Sequence, residues 1–283
     1  MSATTTASGS AVQRLVAEAR YEVIPLKSVE AQLPHLPTGC SVSVTCSPTK
    51  GQQATLDLTA RLLDLGHLAV PHLSARLTGD RAQVSALARF CREHAVQEVF
   101  LVAGDSPEAA GPYDGVVAFL RDFLEEDHGL RRIGVTAYPD GHALIPRPVL
   151  HDALHAKQTL LAAAGVGGFA STQMCFDVRR WAEWCSAERA GGLTLPLHVG
   201  VPGVIDRAKL LSMGMRLGIG QSMRFVRKQG GVLGRLFRPG GYDPMRLVAP
   251  LARRAGELGL EGLHLFTFNN VEATAAWQRN QPG

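Results

Sequence analysis

Polar side chains capable of acid–base chemistry or ligand recognition follow the ends of several predicted strands. One apolar run ends at Tyr138, and His142 follows within the same turn. In a parallel α/β barrel the carboxyl ends of the strands meet on the face that carries the active site. The recurrence of polar residues at this point therefore predicts one shared site. The candidates at predicted strand ends are Thr45, His72, Asp105, Tyr138, His142 and Gln173.

Glu22 is a candidate general acid. It lies between Tyr21 and Val23 in the first predicted strand, so its carboxyl is committed to a mostly apolar neighbourhood. Burial raises the pKa of a carboxyl group, which lets that group hold a proton near neutral pH. The alternative is an outward-facing or ion-paired glutamate with no catalytic part.

The residues at the strand ends each allow a second interpretation. Asp105 could contact a ligand or cap the segment that follows it. The amide of Gln173 can donate and accept, as recognition of a heterocycle edge requires, or it can bond to a loop backbone. His72, Tyr138 and His142 could contact a ligand or pack within their turns.

Two further patterns suggest other chemistry but are incomplete. His151 and His155 stand four residues apart on a predicted helix, close to the zinc-protease motif, but Asp152 replaces its glutamate. Histidines at this spacing also occur on solvated helix faces, so we assign no metal site. A Schiff-base enzyme needs a lysine at a strand end, and only Lys50 is near one. An unrelated barrel lyase is therefore disfavoured.

Alternating strands and helices must position these residues. Apolar runs typical of strands alternate along the chain with segments of helical period. Such alternation indicates parallel strands joined by crossover helices. The predicted strands are 21–24, 41–45, 69–73, 98–103, 132–138, 169–173, 195–201 and 263–268, and the helical segments include 80–94, 114–128, 178–190 and 244–259.

Eight strands predict an α/β fold with a single (β/α)8 barrel. A doubly wound sheet normally has a glycine-rich turn after its first strand, and residues 21–25 contain no glycine. We predict a barrel domain over residues 19–283, preceded by a flexible segment, 1–18. The exception to the alternation is 218–243. Its bases between Arg224 and Arg238 suggest an active-site extension, a lid or a solvated basic loop.

Composition favours a large core and a reducing compartment. The 283 residues are 46% hydrophobic and 19% charged. Five cysteines without a Cys-x-x-Cys pair argue against a disulfide framework and a structural zinc site. The net charge is only +4, and five of the 29 basic residues are lysines, which suits an anionic ligand without implying nucleic acid. No apolar run approaches the roughly 18 residues of a membrane span, so we expect a cytoplasmic protein without a membrane partner.

Taken in order, these residues resemble the catalytic barrel of the methylenetetrahydrofolate reductase family. The resemblance runs from about residue 21 to residue 277, and it is the ordered set of motifs that is specific. The motifs are Tyr21-Glu22-Val23, Gly104-Asp105, Tyr138-Pro139-Asp140-Gly141-His142, Thr172-Gln173 and Phe266-Thr267-Phe268-Asn269.

The resemblance implies reduction of methylenetetrahydrofolate to methyltetrahydrofolate, with NAD(P)H as electron source and FAD as the usual intermediary. It makes Glu22 the acid that protonates the leaving nitrogen, so that the bridging methylene opens to an iminium. It places Asp105 and Gln173 on the pterin, where the carboxylate of Asp105 also stabilises positive charge. The residues that match flavin-site positions are Thr45, His72, Tyr138 and His142.

The sequence departs from the family where flavin is held. Flavin-binding members typically carry Arg before Gly-Asp, a basic cluster on the helix after the Tyr-Pro turn, and Arg after the last-strand Asn. Here Ala103, residues 158–161 and Asn270 occupy these positions. Since each charge-assisted bond contributes about 1.5–3 kcal/mol, we predict that FAD is not tightly held. The four flavin-site residues would then line a site for NADH or NADPH, which transfers hydride directly.

Two other functions remain open from the sequence. One is an ordinary FAD-dependent reductase in which other residues replace the missing cations. The other is a folate-binding protein without turnover, although binding alone does not require a buried acid such as Glu22. The sequence distinguishes neither NADH from NADPH nor one oligomeric state from another.

Overall fold

A computed structural model describes residues 11–205 and 243–281. The strands are β1 (Arg20–Val23), β2 (Ser41–Val44), β3 (Leu68–Ser74), β4 (Glu98–Val102), β5 (Arg132–Ala137), β6 (Gly167–Thr172), β7 (Leu197–Pro202) and β8 (Leu260–Phe266). The helices are α1 (residues 11–17), α2 (Gly51–Asp64), α3 (Arg81–Glu93), α4 (Val116–Leu124), α5 (Arg147–Ala163), α6 (Val178–Ala190), α7 (Met245–Ala252), α8 (Ala255–Leu258) and α9 (Val271–Arg279). Short 3-10 helices span Lys27–Val29, Leu33–His35 and Ala75–Leu77.

The eight strands are parallel and close into one barrel. Each strand pairs with the next, and β8 returns to pair with β1. The register sets Glu22 of β1 beside Ser43 of β2 and Phe266 of β8. The predicted single (β/α)8 barrel is therefore confirmed, and its carboxyl face is the expected place for an active site.

Side chains alternate along the strands between the helical layer and the barrel interior. In β1, Tyr21 points outward and donates a hydrogen bond from its hydroxyl to Gln278 of α9 at 2.6 Å. Glu22 therefore points inward, because successive side chains of a strand face opposite sides. Outward strand residues and helix side chains such as Phe123 and Trp181 form one buried cluster. Its removal from water, at about 25 cal/mol per Å², is the main stabilising contribution.

Aromatic rings fill the middle of the barrel. The Phe100 and Phe169 rings lie 6.2 Å apart and pack with Val70. Gly134 makes room for them, since a Cβ atom there would lie 2.3 Å from the Phe169 ring. The guanidinium of Arg20 stands 4.7 Å from the Phe169 ring, on the amino side of the barrel. The rings thus separate a charged layer at the amino end from the groups nearer the carboxyl end.

Two element boundaries differ from those predicted. β8 ends at Phe266 and not at residue 268, because Phe268 and Asn269 adopt φ values of 51° and 58° that no strand contains. The predicted helix 244–259 is divided into α7 and α8. The division follows Pro250, which cannot donate a helical hydrogen bond, and Gly259 ends α8 with a φ of 62°.

Part of the segment 1–18, predicted to be flexible, forms helix α1 and packs against the rest of the protein. Within it, α1 buries Leu15 and Val16, and the Val16 carbonyl accepts a hydrogen bond from Gln278 Nε2 at 2.6 Å. Residues 1–10 and the basic segment 224–238 lie outside the described residues. Among the helices of the described ranges, none is both long and apolar enough to cross a membrane.

Candidate active site

The carboxyl of Glu22 lies inside the barrel, one layer nearer the carboxyl face than Arg20. Its Oε2 is 2.8 Å from Nε2 of His264 in β8 and 3.8 Å from Nε2 of His72 in β3. The side chain is 12% exposed, so water is largely kept away while a ligand on that face could still reach it. A carboxyl hydrogen-bonded to an imidazole can hold a proton and release it.

His72 is the uncharged member of this group. Its Nε2 lies 2.8 Å from Ser43 Oγ, and its ring is 4.9 Å from that of Phe100. Burial lowers the pKa of His72 well below its usual value, and the nearby His264 and Arg20 lower it further. His72 therefore places an uncharged ring, and no fixed positive charge, beside the Glu22 carboxyl.

The turn after β8 holds the end of β1 in place. Asn269 is bonded at both ends of its amide: Oδ1 accepts from the Ile24 N–H at 2.8 Å, and Nδ2 donates to the Ile24 carbonyl at 2.9 Å. Thr267 Oγ1 donates to the Glu22 carbonyl at 2.6 Å. These bonds hold the backbone that follows the Glu22 side chain, so β1 is fixed there by the turn after β8.

Asp105, Tyr138 and His142 lie together beyond β4 and β5. The Tyr138 and His142 rings meet edge to face, with centroids 5.5 Å apart. Burial raises the pKa of Tyr138 against the effect of a hydrogen bond with Thr136, and the charge of Asp105 raises it further. Asp105 itself is exposed. These three residues therefore form a polar wall outside the barrel mouth.

Gln173 and Thr45 follow β6 and β2. The Gln173 side-chain Oε1 accepts a hydrogen bond from the Met174 N–H at 2.9 Å, so its NH₂ group is the part that could bind a ligand. The Thr45 N–H donates to the Val23 carbonyl at 2.9 Å. By strand alternation, Thr45 continues the inward series that includes Ser43.

Within the described residues, the structure brings some of the predicted site residues into contact and leaves others without a hydrogen bond to the set. Glu22 contacts His72, and Tyr138 contacts His142. Across residues 11–205 and 243–281, no hydrogen bond connects Thr45 or Gln173 to the rest of the predicted set. Sequence reasoning missed His264 as the partner of Glu22. The sequence offered one indication: His264 stands two residues before Phe266, and alternate residues of a strand share one face.

The positions matching the family's flavin cations present no exposed charge here. Ala103 is apolar. Lys157 on α5 is enclosed, with 5% of its surface exposed; its Nζ donates to the Thr136 carbonyl at 3.3 Å, and burial lowers its pKa to about 8. The Gln158 amide is bonded to the loop carrying Gly192 and Thr194. These residues do not fit the pyrophosphate of FAD.

The ligand atoms of Glu22, His72 and His264 also lie within 4.8 Å of one another, a spacing at which three groups can share a metal ion. Their hydrogen bonds, including that of His72 to Ser43, account for the arrangement without one. The sequence alone predicts no metal site at these residues.

A closed parallel barrel with an acid inside its carboxyl half defines the class of protein, a (β/α)8 barrel with a candidate active site on its carboxyl face. The family model described as methylenetetrahydrofolate reductase matches residues 28–215. The chain belongs to the methylenetetrahydrofolate reductase family.

Similar proteins include a yeast reductase and several solved structures of low identity. Methylenetetrahydrofolate reductase 2 of Saccharomyces cerevisiae is 32% identical over 123 residues, which are 41% of this chain and 20% of that protein. A putative deoxyribose-phosphate aldolase from Toxoplasma gondii has a TM-score of 0.46 at 9% identity, covering 97% of this chain and 99% of that one. Dihydropteroate synthase from Thermus thermophilus has a TM-score of 0.43 at 14% identity, covering 93% of each chain. At these values neither structure bears on activity.

Proposed function

We propose that the protein reduces methylenetetrahydrofolate to methyltetrahydrofolate, with NADH or NADPH as the reductant and without tightly bound flavin. Family membership supports the substrate and the reaction type. The observation that carries the proposal is the Glu22 carboxyl, shielded inside the barrel and hydrogen-bonded to His264. A folate-binding protein without turnover has no need of such an acid.

In this proposal Glu22 donates a proton to the nitrogen that leaves the bridging methylene. The carbon–nitrogen bond breaks, and the methylene becomes an iminium on the other nitrogen. The reduced nicotinamide supplies a hydride that converts the iminium to the methyl group. The products are methyltetrahydrofolate and the oxidised nucleotide, and Glu22 regains its proton from water.

Other residues bind and orient the two reactants. Asp105 contacts the pterin, and its carboxylate stabilises positive charge that develops on the iminium. The Gln173 NH₂ group donates to a heterocycle acceptor. Nucleotide binding falls to Thr45, His72, Tyr138 and His142, of which His72 lies nearest to Glu22.

Direct hydride transfer is proposed because the flavin positions lack exposed cations. Ala103 carries no charge, and the Lys157 amine already donates to a carbonyl inside the protein. A flavin that loses several charge-assisted bonds, at about 1.5–3 kcal/mol each, binds weaker by orders of magnitude.

The test is the visible absorption spectrum of the freshly purified protein, followed by NADH and NADPH oxidation with methylenetetrahydrofolate and no added flavin. We expect a colourless protein that oxidises one of the nucleotides. A flavin spectrum, or activity that appears only after FAD is added, would identify a conventional flavoenzyme. Folate binding with no oxidation under either condition would identify a binding protein.

A further inference from the structure

A second group of ionisable side chains lies outside the barrel, between α5 and α6. His151 Nδ1 is 2.8 Å from Glu188 Oε2, and His155 Nε2 is 3.0 Å from the same oxygen. The two imidazoles are one helical turn apart on α5, with ring centroids separated by 4.2 Å. All three ligand atoms lie within 4.8 Å of one another. Two imidazoles and one carboxylate thus converge on a single point.

The environment of the Glu188 carboxylate favours a neighbouring cation. Its side chain is only 10% exposed, and it stands in the last turn of α6, whose carbonyl end disfavours negative charge. In the described part of the chain, Glu188 Oε2 makes its two contacts with imidazoles. A buried carboxylate is costly unless it is paired with positive charge or coordinates a metal.

We propose that His151, His155 and Glu188 bind a divalent metal ion of the zinc class. Imidazole nitrogen and carboxylate oxygen are donors that zinc accepts at about 2.0–2.2 Å. Tetrahedral ligands at that distance stand roughly 3.3 Å apart, so the two nitrogen–oxygen separations, 2.8 and 3.0 Å, need to grow by only a few tenths of an ångström.

The site is open to an ion from solvent, and it has room for a fourth ligand. The His151 side chain is 45% exposed, which leaves a path for the ion from solvent. His151 and Glu188 also line a cavity of about 40 Å³, together with Tyr138, Arg147 and Trp184. That volume holds a few water molecules, so the open position would take water.

The local sequence is compatible with close approach of the two helices. Gly191 ends α6, and a Cβ atom there would lie 3.2 Å from His151 Cε1, tighter than an ordinary contact. Asp152, between the two histidines, is exposed and is not part of the group. A bound ion would therefore tie α5 to α6.

The experiment is a zinc titration of the full-length protein, stripped with a chelator, against a chromophoric competitor. We expect one tightly bound equivalent. His155→Ala and Glu188→Gln should each weaken it by at least the roughly 10- to 100-fold that loss of an outer-shell partner costs. His151→Gln, at the most exposed of the three positions, should do the same with the least effect on folding. His94→Ala, at the exposed histidine directly after α3, is the matched control and should leave zinc affinity unchanged.

Cobalt gives an independent readout of the same site. The Co²⁺-loaded protein should show visible absorption that the Glu188→Gln variant loses. Absence of zinc binding at micromolar concentration, or affinity unchanged in all three variants, would overturn the proposal and leave a hydrogen-bonded group that only joins the helices. Zinc binding that is lost in Glu22→Gln and kept in Glu188→Gln would place the ion in the barrel and would equally overturn it.

Discussion

At the scale of single residues, the proposed chemistry depends on the Glu22 carboxyl and its two imidazole neighbours. The carboxyl is positioned by the strand on which it lies, and it is hydrogen-bonded across the barrel seam to His264. Burial lowers the pKa of His72 well below its usual value, so the third member of the group carries no fixed positive charge.

Replacing Glu22 tests the proposed acid. Glu22→Gln keeps the size of the side chain and removes the transferable proton. We expect the reductase rate to fall by roughly 10²–10⁴-fold, the usual contribution of general acid catalysis. The measurement is steady-state nucleotide oxidation with methylenetetrahydrofolate, with circular dichroism to verify folding. Glu272→Gln, at an exposed glutamate on α9, is the control, and full activity in Glu22→Gln would rule out the mechanism.

Replacing His264 tests how the acid is positioned. His264→Phe removes the 2.8 Å bond to Glu22 but retains an aromatic ring. A hydrogen bond to a charged group contributes about 1.5–3 kcal/mol, so we expect kcat to fall by roughly 10- to 100-fold.

The KM for the nucleotide should change less than kcat in that variant, because His264 contacts the acid and is not among the residues proposed to bind the nucleotide. His264→Gln, which restores a polar partner, should recover part of the rate. An equal loss in both variants would indicate that the ring fills space and does not position Glu22.

At the scale of elements, the turn after β8 is strained in order to hold β1. Asn269 has a φ of 58° and uses both ends of its amide on the Ile24 backbone. Asparagine tolerates the left-handed region better than most residues, and its amide takes the place of a strand partner for Ile24.

Two substitutions at Asn269 separate conformation from hydrogen bonding. Asn269→Gly tolerates the positive φ but loses both side-chain bonds, so the free energy of unfolding should fall by about 1–3 kcal/mol. Asn269→Ala loses the same bonds and adds backbone strain, which should cost about 1 kcal/mol more. Urea unfolding measures both. An alanine variant as stable as the glycine variant would show that the left-handed conformation is not retained.

At the scale of the whole molecule, the amino end of the barrel is closed by a charged network. Arg20 pairs with Glu98, and Arg132 pairs with Glu98 and Glu261. His198 Nε2 is 3.0 Å from Glu261 Oε2. This end of a barrel serves stability, while the carboxyl end carries the chemistry.

The network makes stability depend on pH in the acid range. Burial lowers the pKa of His198 to about 4, despite its bond to Glu261, and the bond to His198 lowers the pKa of Glu261 to about 2. Between pH 6.5 and 4 the unfolded chain binds a proton on His198 that the folded protein excludes. Stability therefore falls as pH falls, by up to about 1.4 kcal/mol per pH unit from this residue.

The prediction is that the free energy of unfolding in urea drops from pH 7 to pH 5, with roughly 2 kcal/mol of the drop due to His198. His198→Gln should reduce the difference without abolishing it, since burial also lowers the pKa of His67, His72 and His128. His94→Gln is the control. An unchanged difference in His198→Gln would show that this histidine does not stay neutral in the folded protein.

The sequence by itself determined the alternation of strands and helices, and with it the barrel, whereas the inward direction of Glu22 followed only from the contact of Tyr21 with Gln278. The alternation and the barrel follow from local periodicity, which a short window of residues contains. The ordered motifs also led to the family. The roles assigned to the site residues, those of Glu22 and Asp105 as well as those of Thr45 and Gln173, remain predictions.

Only the tertiary structure decided which side chains meet. Glu22 and His264 are 242 residues apart and come together because β8 closes the barrel against β1. Glu188 joins His151 and His155 because α5 and α6 follow neighbouring strands. Contacts between distant positions depend on register and helix packing, for which no local pattern in the sequence carries a signal. For the same reason, the burial of Lys157 could not be predicted from the sequence.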